Sequence, residues 1–211
     1  MFLFKKNHIK ATLLFLGFCS ATNATELRPL VQFDFPSQVT IDKKVNEVRE
    51  EKNWHTAPIF TAGAEFIFTA EFNPFHYGFG IAFKSAQKHN SQRITPAAIP
   101  IWANLYYMAY NNEGVISIYV ATRGGTLLPF TADGNWWERP FNFFIEGGAG
   151  IIMPFLPYDI GLEVNYNFSS MQRSFVDAHT KFRATSGRIG IKLSLGFELY
   201  HERSYKPNDK I

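Results

Sequence analysis

The chain has 211 residues, of which 46% are hydrophobic, 17% aromatic and 18% charged, and its formal net charge at pH 7 is +3. Removing the three N-terminal lysines Lys5, Lys6 and Lys10 brings this charge to zero, so the composition gives no indication of nucleic-acid binding. The length allows one domain of ordinary size.

The N-terminal segment has the pattern of an export signal. The three lysines are followed by a short apolar run, Ala11–Phe18, and then by small residues that predict cleavage after Ala24, or alternatively after Ala21. The run is shorter than the roughly 20 residues of a spanning helix. Cys19, the only cysteine, lies in this segment, so the mature chain has no disulfide. The predicted organisation is a cleaved signal peptide at 1–24, a β-barrel at 25–200 and a polar periplasmic tail at 201–211.

The remaining chain shows repeated alternation of apolar and polar residues, which is typical of β-strands with one apolar face. In the last such segment, Ile189 and Leu193 face one way while Lys192 faces the other, over about 13 residues, enough to cross a bilayer as a tilted strand. The predicted strands are 27–35, 59–72, 77–85, 98–110, 115–123, 141–153, 158–169 and 187–200.

The connections between these strands alternate in length. Tight turns rich in Asn, Gly and Pro lie at 73–76, 111–114 and 154–157, and longer loops lie at 36–58, 86–97, 124–140 and 170–186. Short turns at one rim and long loops at the other are typical of outer-membrane barrels. A soluble sandwich shows the same alternation with its apolar face inward, but strand length, the export signal and aromatic strand ends favour the membrane. We therefore predict an all-β fold, an eight-stranded antiparallel up-and-down transmembrane β-barrel.

This layout resembles the small bacterial outer-membrane barrels of the OmpA transmembrane-domain, OmpX and OmpW kind. In that superfamily the last strand carries an assembly signal of the form polar-x-Gly-x-x-hydrophobic-x-hydrophobic, and Arg188, Gly190, Leu193 and Leu195 fit it. The chain departs from the common pattern by continuing into the polar tail. The resemblance implies Sec export to a Gram-negative outer membrane, with the barrel assembly machinery, outer-membrane lipid and lipopolysaccharide as partners, and a monomeric state.

The polar faces of the strands carry charges of both signs. An eight-stranded barrel is just wide enough inside for its own side chains, so these charges predict a paired plug rather than a conducting path. The candidates for this lumen network are Glu65, Glu71, Lys84, Arg123, Glu146, Glu163, Arg188, Lys192 and Glu198, and Arg28, Asp34 and Asp159 lie on the same faces.

No catalytic or metal site is predicted. Some small outer-membrane barrels cleave lipid A with a His-x-Ser pair, in which the histidine activates the serine, and no histidine here has a serine two positions on. The mature chain has neither a His-x-x-His pair nor a cysteine cluster that would hold zinc. We expect no enzyme activity and no cofactor.

The long loops carry the remaining candidates. Trp136 and Trp137 are expected to pack against the rim or to contact a sugar or protein partner. The charged run 42–52 is predicted to form a short helical turn through its i,i+4 spacings. The basic residues near the fourth long loop that are expected to meet lipid phosphates are Arg173, Lys181, Arg183 and Arg188.

These observations predict an outer-membrane protein with a structural or surface-interaction role. One alternative is a narrow, OmpW-like channel for small apolar solutes, which the aromatic and small residues on the strand faces suggest. The other is a soluble periplasmic β-barrel that binds a ligand.

Overall fold

The computed structural model describes residues 24–45, 48–69, 73–112, 115–130, 142–155, 157–174 and 180–199. No helix in the described part of the chain has the length and apolar character needed to span a membrane. The strands are β1 (Ala24–Asp34), β2 (Ser37–Val45), β3 (Val48–Thr56), β4 (Ile59–Thr69), β5 (Phe75–Lys84), β6 (Gln87–His89), β7 (Gln92–Thr95), β8 (Ala97–Asn112), β9 (Ile116–Phe130), β10 (Phe143–Phe155), β11 (Tyr158–Ser174) and β12 (Thr180–Glu198).

Eight of these strands close into a barrel. They pair with antiparallel neighbours in the order β1-β4-β5-β8-β9-β10-β11-β12, and β12 pairs again with β1 through contacts such as Val31 with Leu193. Closure leaves no unpaired edge around the barrel wall. The predicted fold, an all-β, eight-stranded antiparallel up-and-down barrel, is confirmed.

Several barrel strands continue beyond their predicted ends into the segments expected to be loops. β9 runs to Phe130, β11 runs to Ser174, and β12 begins at Thr180. Ladder pairing persists there, with Met171 opposite Ala184. On β11 and β12 the apolar outward face gives way to polar residues in these extensions, so the alternation of residues there does not predict a strand.

The first long loop is a β-hairpin, so the predicted helical turn in 42–52 is wrong. β2 pairs with the extension of β12, with Ile41 opposite Ala184, and β3 pairs with β2. The ladder satisfies the backbone groups of β2, and its β-branched Val39 and Ile41 favour an extended chain. This tertiary pairing outweighs the few tenths of a kcal/mol, roughly, that i,i+4 charge pairs give to a helix.

The second long loop contains a smaller hairpin, β6–β7. Its tip is formed by Asn90 and Ser91, whose positive φ values of 44° and 68° are those of a tight hairpin turn. The backbone N–H of Ala57 donates to the carbonyl of Lys88 at 2.9 Å, which joins this hairpin to the segment after β3. Both hairpins therefore lie at the same end of the barrel.

Side-chain burial follows the alternation predicted for the strands. On β11, Val164 is 57% exposed while the neighbouring Glu163 is 1% exposed; on β12, Ile189 is 56% exposed while Arg188 is 1% exposed. The barrel therefore presents apolar side chains outward and encloses polar and charged side chains.

Candidate functional site in the barrel interior

The barrel interior has three layers along its axis. On β9, Arg123 lies between Ala121, nearer the short turns, and Leu127, nearer the long loops, so a charged layer separates two apolar ones. The lower apolar layer consists of Ile67, Tyr106, Tyr119, Ala121 and Ile152. The upper apolar layer consists of Leu30, Ala82, Ala98, Trp102, Leu127, Phe144 and Met171. The charged layer, which we term the central charge cluster, consists of Glu65, Arg123, Glu146, Glu163 and Lys192.

Arg123 is the centre of this cluster. Its Nε donates to Glu65 Oε1 at 2.6 Å. Its Nη1 and Nη2 donate to Oε1 and Oε2 of Glu163 at 2.7 and 2.9 Å, which is a bidentate ion pair. The remaining N–H groups donate to Glu146 Oε1 at 3.1 Å and to the hydroxyl oxygen of Tyr106 at 2.7 Å. All five guanidinium N–H groups therefore have acceptors, which is the condition for burying an arginine at 2% exposure.

Lys192 completes the pairing of the acids. Its Nζ lies 2.5 Å from Glu146 Oε1 and 3.6 Å from Glu163 Oε1. The three carboxylates of the cluster outnumber its two cations, and neutral hydrogen-bond donors bind the carboxylate oxygens as well. Gln32 Nε2 donates to Glu146 at 3.1 Å and Tyr119 donates to Glu163 at 3.0 Å.

Three of the inward aromatic residues are hydrogen-bond donors that sequence reasoning missed. Trp102 Nε1 donates to Glu65 at 3.0 Å, Tyr106 donates to the other oxygen of Glu65, and the Tyr119 hydroxyl donates to Glu163. Gly80 makes room for Trp102, since a Cβ there would lie 2.3 Å from the indole. The available signal was that Trp102, Asn104 and Tyr106 share one face of β8.

Two further ion pairs among the described interior side chains lie outside the central charge cluster. Arg28 donates to both carboxylate oxygens of Glu26 at 2.8 Å, and its guanidinium carbon lies 5.7 Å from the centre of the Tyr106 ring. Lys84 Nζ lies 3.9 Å from Asp34 Oδ2, with the lysine side chain 12% exposed.

Arg188 faces the interior but contacts no acid in the described residues. Its guanidinium donates to the carbonyls of Phe35 at 3.1 Å and Ala57 at 3.2 Å, and to the Thr56 hydroxyl. Its role is therefore to fasten the chain on both sides of the β2–β3 hairpin to the barrel wall. Because it is buried, it is not available to a lipid phosphate.

The other predicted residues are dispersed. Glu198 is exposed at the end of β12, and Gly190 faces inward next to Asp34. Leu193 and Leu195 face outward with exposures of 47% and 42%. The predictions for Glu71, Trp136, Trp137, the signal segment 1–23 and the tail 201–211 lie outside the described residues, as do those for the side chains of Arg173 and Lys181.

Little free space remains around the central charge cluster. A cavity of about 30 Å³ lies beneath the upper apolar layer, bounded by Leu30, Trp102, Leu127, Phe144 and Lys84. At roughly 10–15 Å³ for each water centre, it has room for about two waters. Within the described residues, no group of three or more His, Cys, Asp or Glu side chains is placed to hold a metal ion.

Comparison with known proteins gives few matches. No family model matches the chain, and no curated protein matches it. Among solved structures, the chain is similar to the solid-state NMR structure of outer membrane protein AlkL in DMPC lipid bilayers, with 12% identity over 83% of this chain and 91% of that chain, and a TM-score of 0.39. The fold assignment rests on the strand pairing and the burial pattern described above. A closed eight-stranded barrel with an apolar exterior and a polar interior is the architecture of a small outer-membrane β-barrel.

Proposed function

We propose that the chain is an outer-membrane protein that spans the membrane as a barrel with a filled lumen and acts as a structural or surface-interaction protein. The observation that carries the proposal is the continuous belt of outward apolar side chains, which includes Val120, Val164, Tyr166 and Ile189, each more than half exposed. Monomeric soluble proteins rarely expose an apolar patch larger than a few hundred Å². Lipid tails would cover this belt without cost.

The interior argues against the alternative of a soluble binding barrel. Such a protein would place its apolar faces inward and its charges in water. Here Glu65, Glu163 and Arg123 are each at most 2% exposed, while a second, larger set of apolar side chains faces outward in addition to the apolar layers inside. The inverted pattern is stable only where the surroundings are apolar.

The contacts of the central charge cluster support a filled lumen. Every N–H of Arg123 is bound, and Lys192 bridges Glu146 and Glu163. Opening a path for ions would require breaking these contacts and hydrating the charges. The lumen then serves to hold the wall strands together rather than to conduct.

The sheet that continues above the barrel supports a role at the surface. β11, β12, β2 and β3 form an extension on the side of the long loops, and its residues Arg49, Glu50 and Lys52 have side chains more than half exposed. Such a polar sheet would be unstable in the hydrocarbon core of a bilayer, where exposed polar groups find no water to bind. It provides a surface for contacts outside the bilayer.

Fractionation and gel electrophoresis test the proposal. Cells that make the protein with its own N-terminus are separated into soluble and outer-membrane fractions, and each is run with and without boiling. We expect an outer-membrane band that migrates faster when unboiled, because a closed barrel resists detergent unfolding. A band found only in the soluble periplasmic extract, unshifted by boiling, would contradict the proposal.

A narrow channel for small apolar solutes is the second candidate, favoured by the upper apolar layer and its cavity. We expect vesicles with the wild-type protein to show no current steps and no solute uptake beyond empty vesicles. Uptake that is abolished by Leu127→Trp, which fills the cavity, but kept by Leu105→Trp, which faces outward at 43% exposure, would favour the channel instead.

A further inference from the structure

The outward face of the sheet extension changes from apolar to polar residues directly above the apolar belt. Going up β12, the outward positions are Ile189, Gly187, Thr185 and Arg183, and on β11 the outward Tyr166 and Phe168 are followed by polar residues. The ring of Tyr166 packs over Gly187, where a Cβ would lie 2.1 Å from its hydroxyl oxygen. The belt therefore ends near Gly187.

Among the described side chains of this outward face, two cations form no ion pair. Arg49 of the same face lies 2.8 Å from Asp42, the acid opposite Arg183 in the ladder, and 3.8 Å from Glu51, the second described acid of this face, so both acids are paired with Arg49. Arg183 donates through Nε to Ser170 Oγ at 3.2 Å, and neither of its terminal nitrogens has a partner among the described residues. Lys44, exposed on the same face, likewise has no ion pair among them.

The two cations are close enough to bind one anion. Arg183 lies opposite Asp42, and Lys44 is two residues further along β2, so the pair is diagonal across the ladder. Diagonal neighbours on one face are about 7–8 Å apart at the backbone, which two long side chains span easily. The Ser170 contact fixes the plane of the guanidinium with its two terminal nitrogens free, the geometry that suits a phosphate.

Their height matches the headgroup layer. Arg183 is four residues above Gly187 on β12, about 13 Å along the strand at roughly 3.3 Å per residue. A tilt of about 35–45° reduces this to about 10 Å above the end of the belt. Headgroups occupy about 5–8 Å on each side of the hydrocarbon core, and long basic side chains reach back toward them.

Resting on the proposed membrane location, we propose that Arg183 and Lys44 bind the phosphate of a lipid headgroup in the leaflet on the side of the long loops. The site anchors the sheet extension against the bilayer surface. It gives the barrel a preference for phosphate-bearing lipid neighbours over neutral ones.

Native mass spectrometry of the purified, folded protein tests this site. The probe is phosphatidic acid, compared with diacylglycerol of the same acyl chains. We expect wild-type protein to bind phosphatidic acid in preference, and Arg183→Gln/Lys44→Gln to weaken that binding on the order of tenfold. The matched control is Lys43→Gln/Lys52→Gln, which removes the same charge from the opposite face of the same sheet.

Each other outcome contradicts the inference. Equal weakening in both double variants would show a response to net charge only, and displacement of the lipid by inorganic phosphate at the same concentration would show a site for free phosphate. A heat-modifiable, vesicle-inserted barrel without the lipid preference would overturn the site and leave the proposed function standing. A soluble protein that binds phosphatidic acid no better than the Arg183→Gln/Lys44→Gln variant would overturn both.

Discussion

Replacing Arg123 by leucine is expected to lower the free energy of unfolding by about 3–5 kcal/mol, the usual loss when one partner of a buried ion pair is removed. The change leaves Glu65 without its nearest cation, and leaves Glu146 and Glu163 to share Lys192. These carboxylates are at most 4% exposed, so water cannot replace the lost contacts without opening the lumen. The measurement is urea unfolding in lipid vesicles, followed by tryptophan fluorescence.

Two further variants make the Arg123 result specific. Lys52→Leu removes an exposed cation 2.8 Å from Glu50 and is expected to cost at most about 1 kcal/mol. The double variant Arg123→Leu/Glu163→Gln is expected to lose less than the sum of its single changes, because Glu163 accepts two of the Arg123 hydrogen bonds. A loss below about 1 kcal/mol for Arg123→Leu would indicate a hydrated lumen and would favour the channel over the filled barrel.

The second large effect is expected from Val164→Arg, at a loss of about 2–4 kcal/mol in a bilayer. Val164 is 57% exposed, lies in the middle of the outward face of β11, and is flanked by Ala149 and Ile191 on the adjacent strands. An arginine there would place its charge near the bilayer midplane. The measurement is the same vesicle unfolding, together with the heat-modifiable fraction on gels.

This substitution also separates the membrane barrel from a soluble one. In water, a change at a half-exposed valine would alter stability by no more than about 0.5 kcal/mol. The control is Thr185→Arg, which faces outward on β12 above the apolar belt and is expected to cost about 0–1 kcal/mol. Equal, small losses for both variants would contradict the membrane location of the belt.

The wall of the barrel was predictable because a strand face is a local property. Successive side chains alternate between faces, so the positions of Glu163 and Val164 on opposite sides follow from the sequence alone. The number of barrel strands and the alternation of short and long connections follow from the same local signals. The sequence also indicated that charges of both signs would share the interior.

Which charges meet was decided by the tertiary structure. The central charge cluster draws its five side chains from five strands, β4, β9, β10, β11 and β12, and their heights depend on the stagger of the strands around the barrel. The stagger between neighbouring strands cannot be deduced from the apolar and polar alternation within any one strand. For this reason Arg123 and Arg188, alike in the sequence, differ in role: one binds acids and the other binds backbone carbonyls.

The same reason explains the first long loop. The charges of 42–52 permitted a helical turn, and only the presence of the β12 extension beside β2 made a hairpin the better structure. The sequence by itself thus determined the eight barrel strands and their faces, since these depend on near neighbours along the chain. The tertiary structure decided the ion pairs, the inward aromatic donors and the extended sheet, since these depend on the register between distant strands.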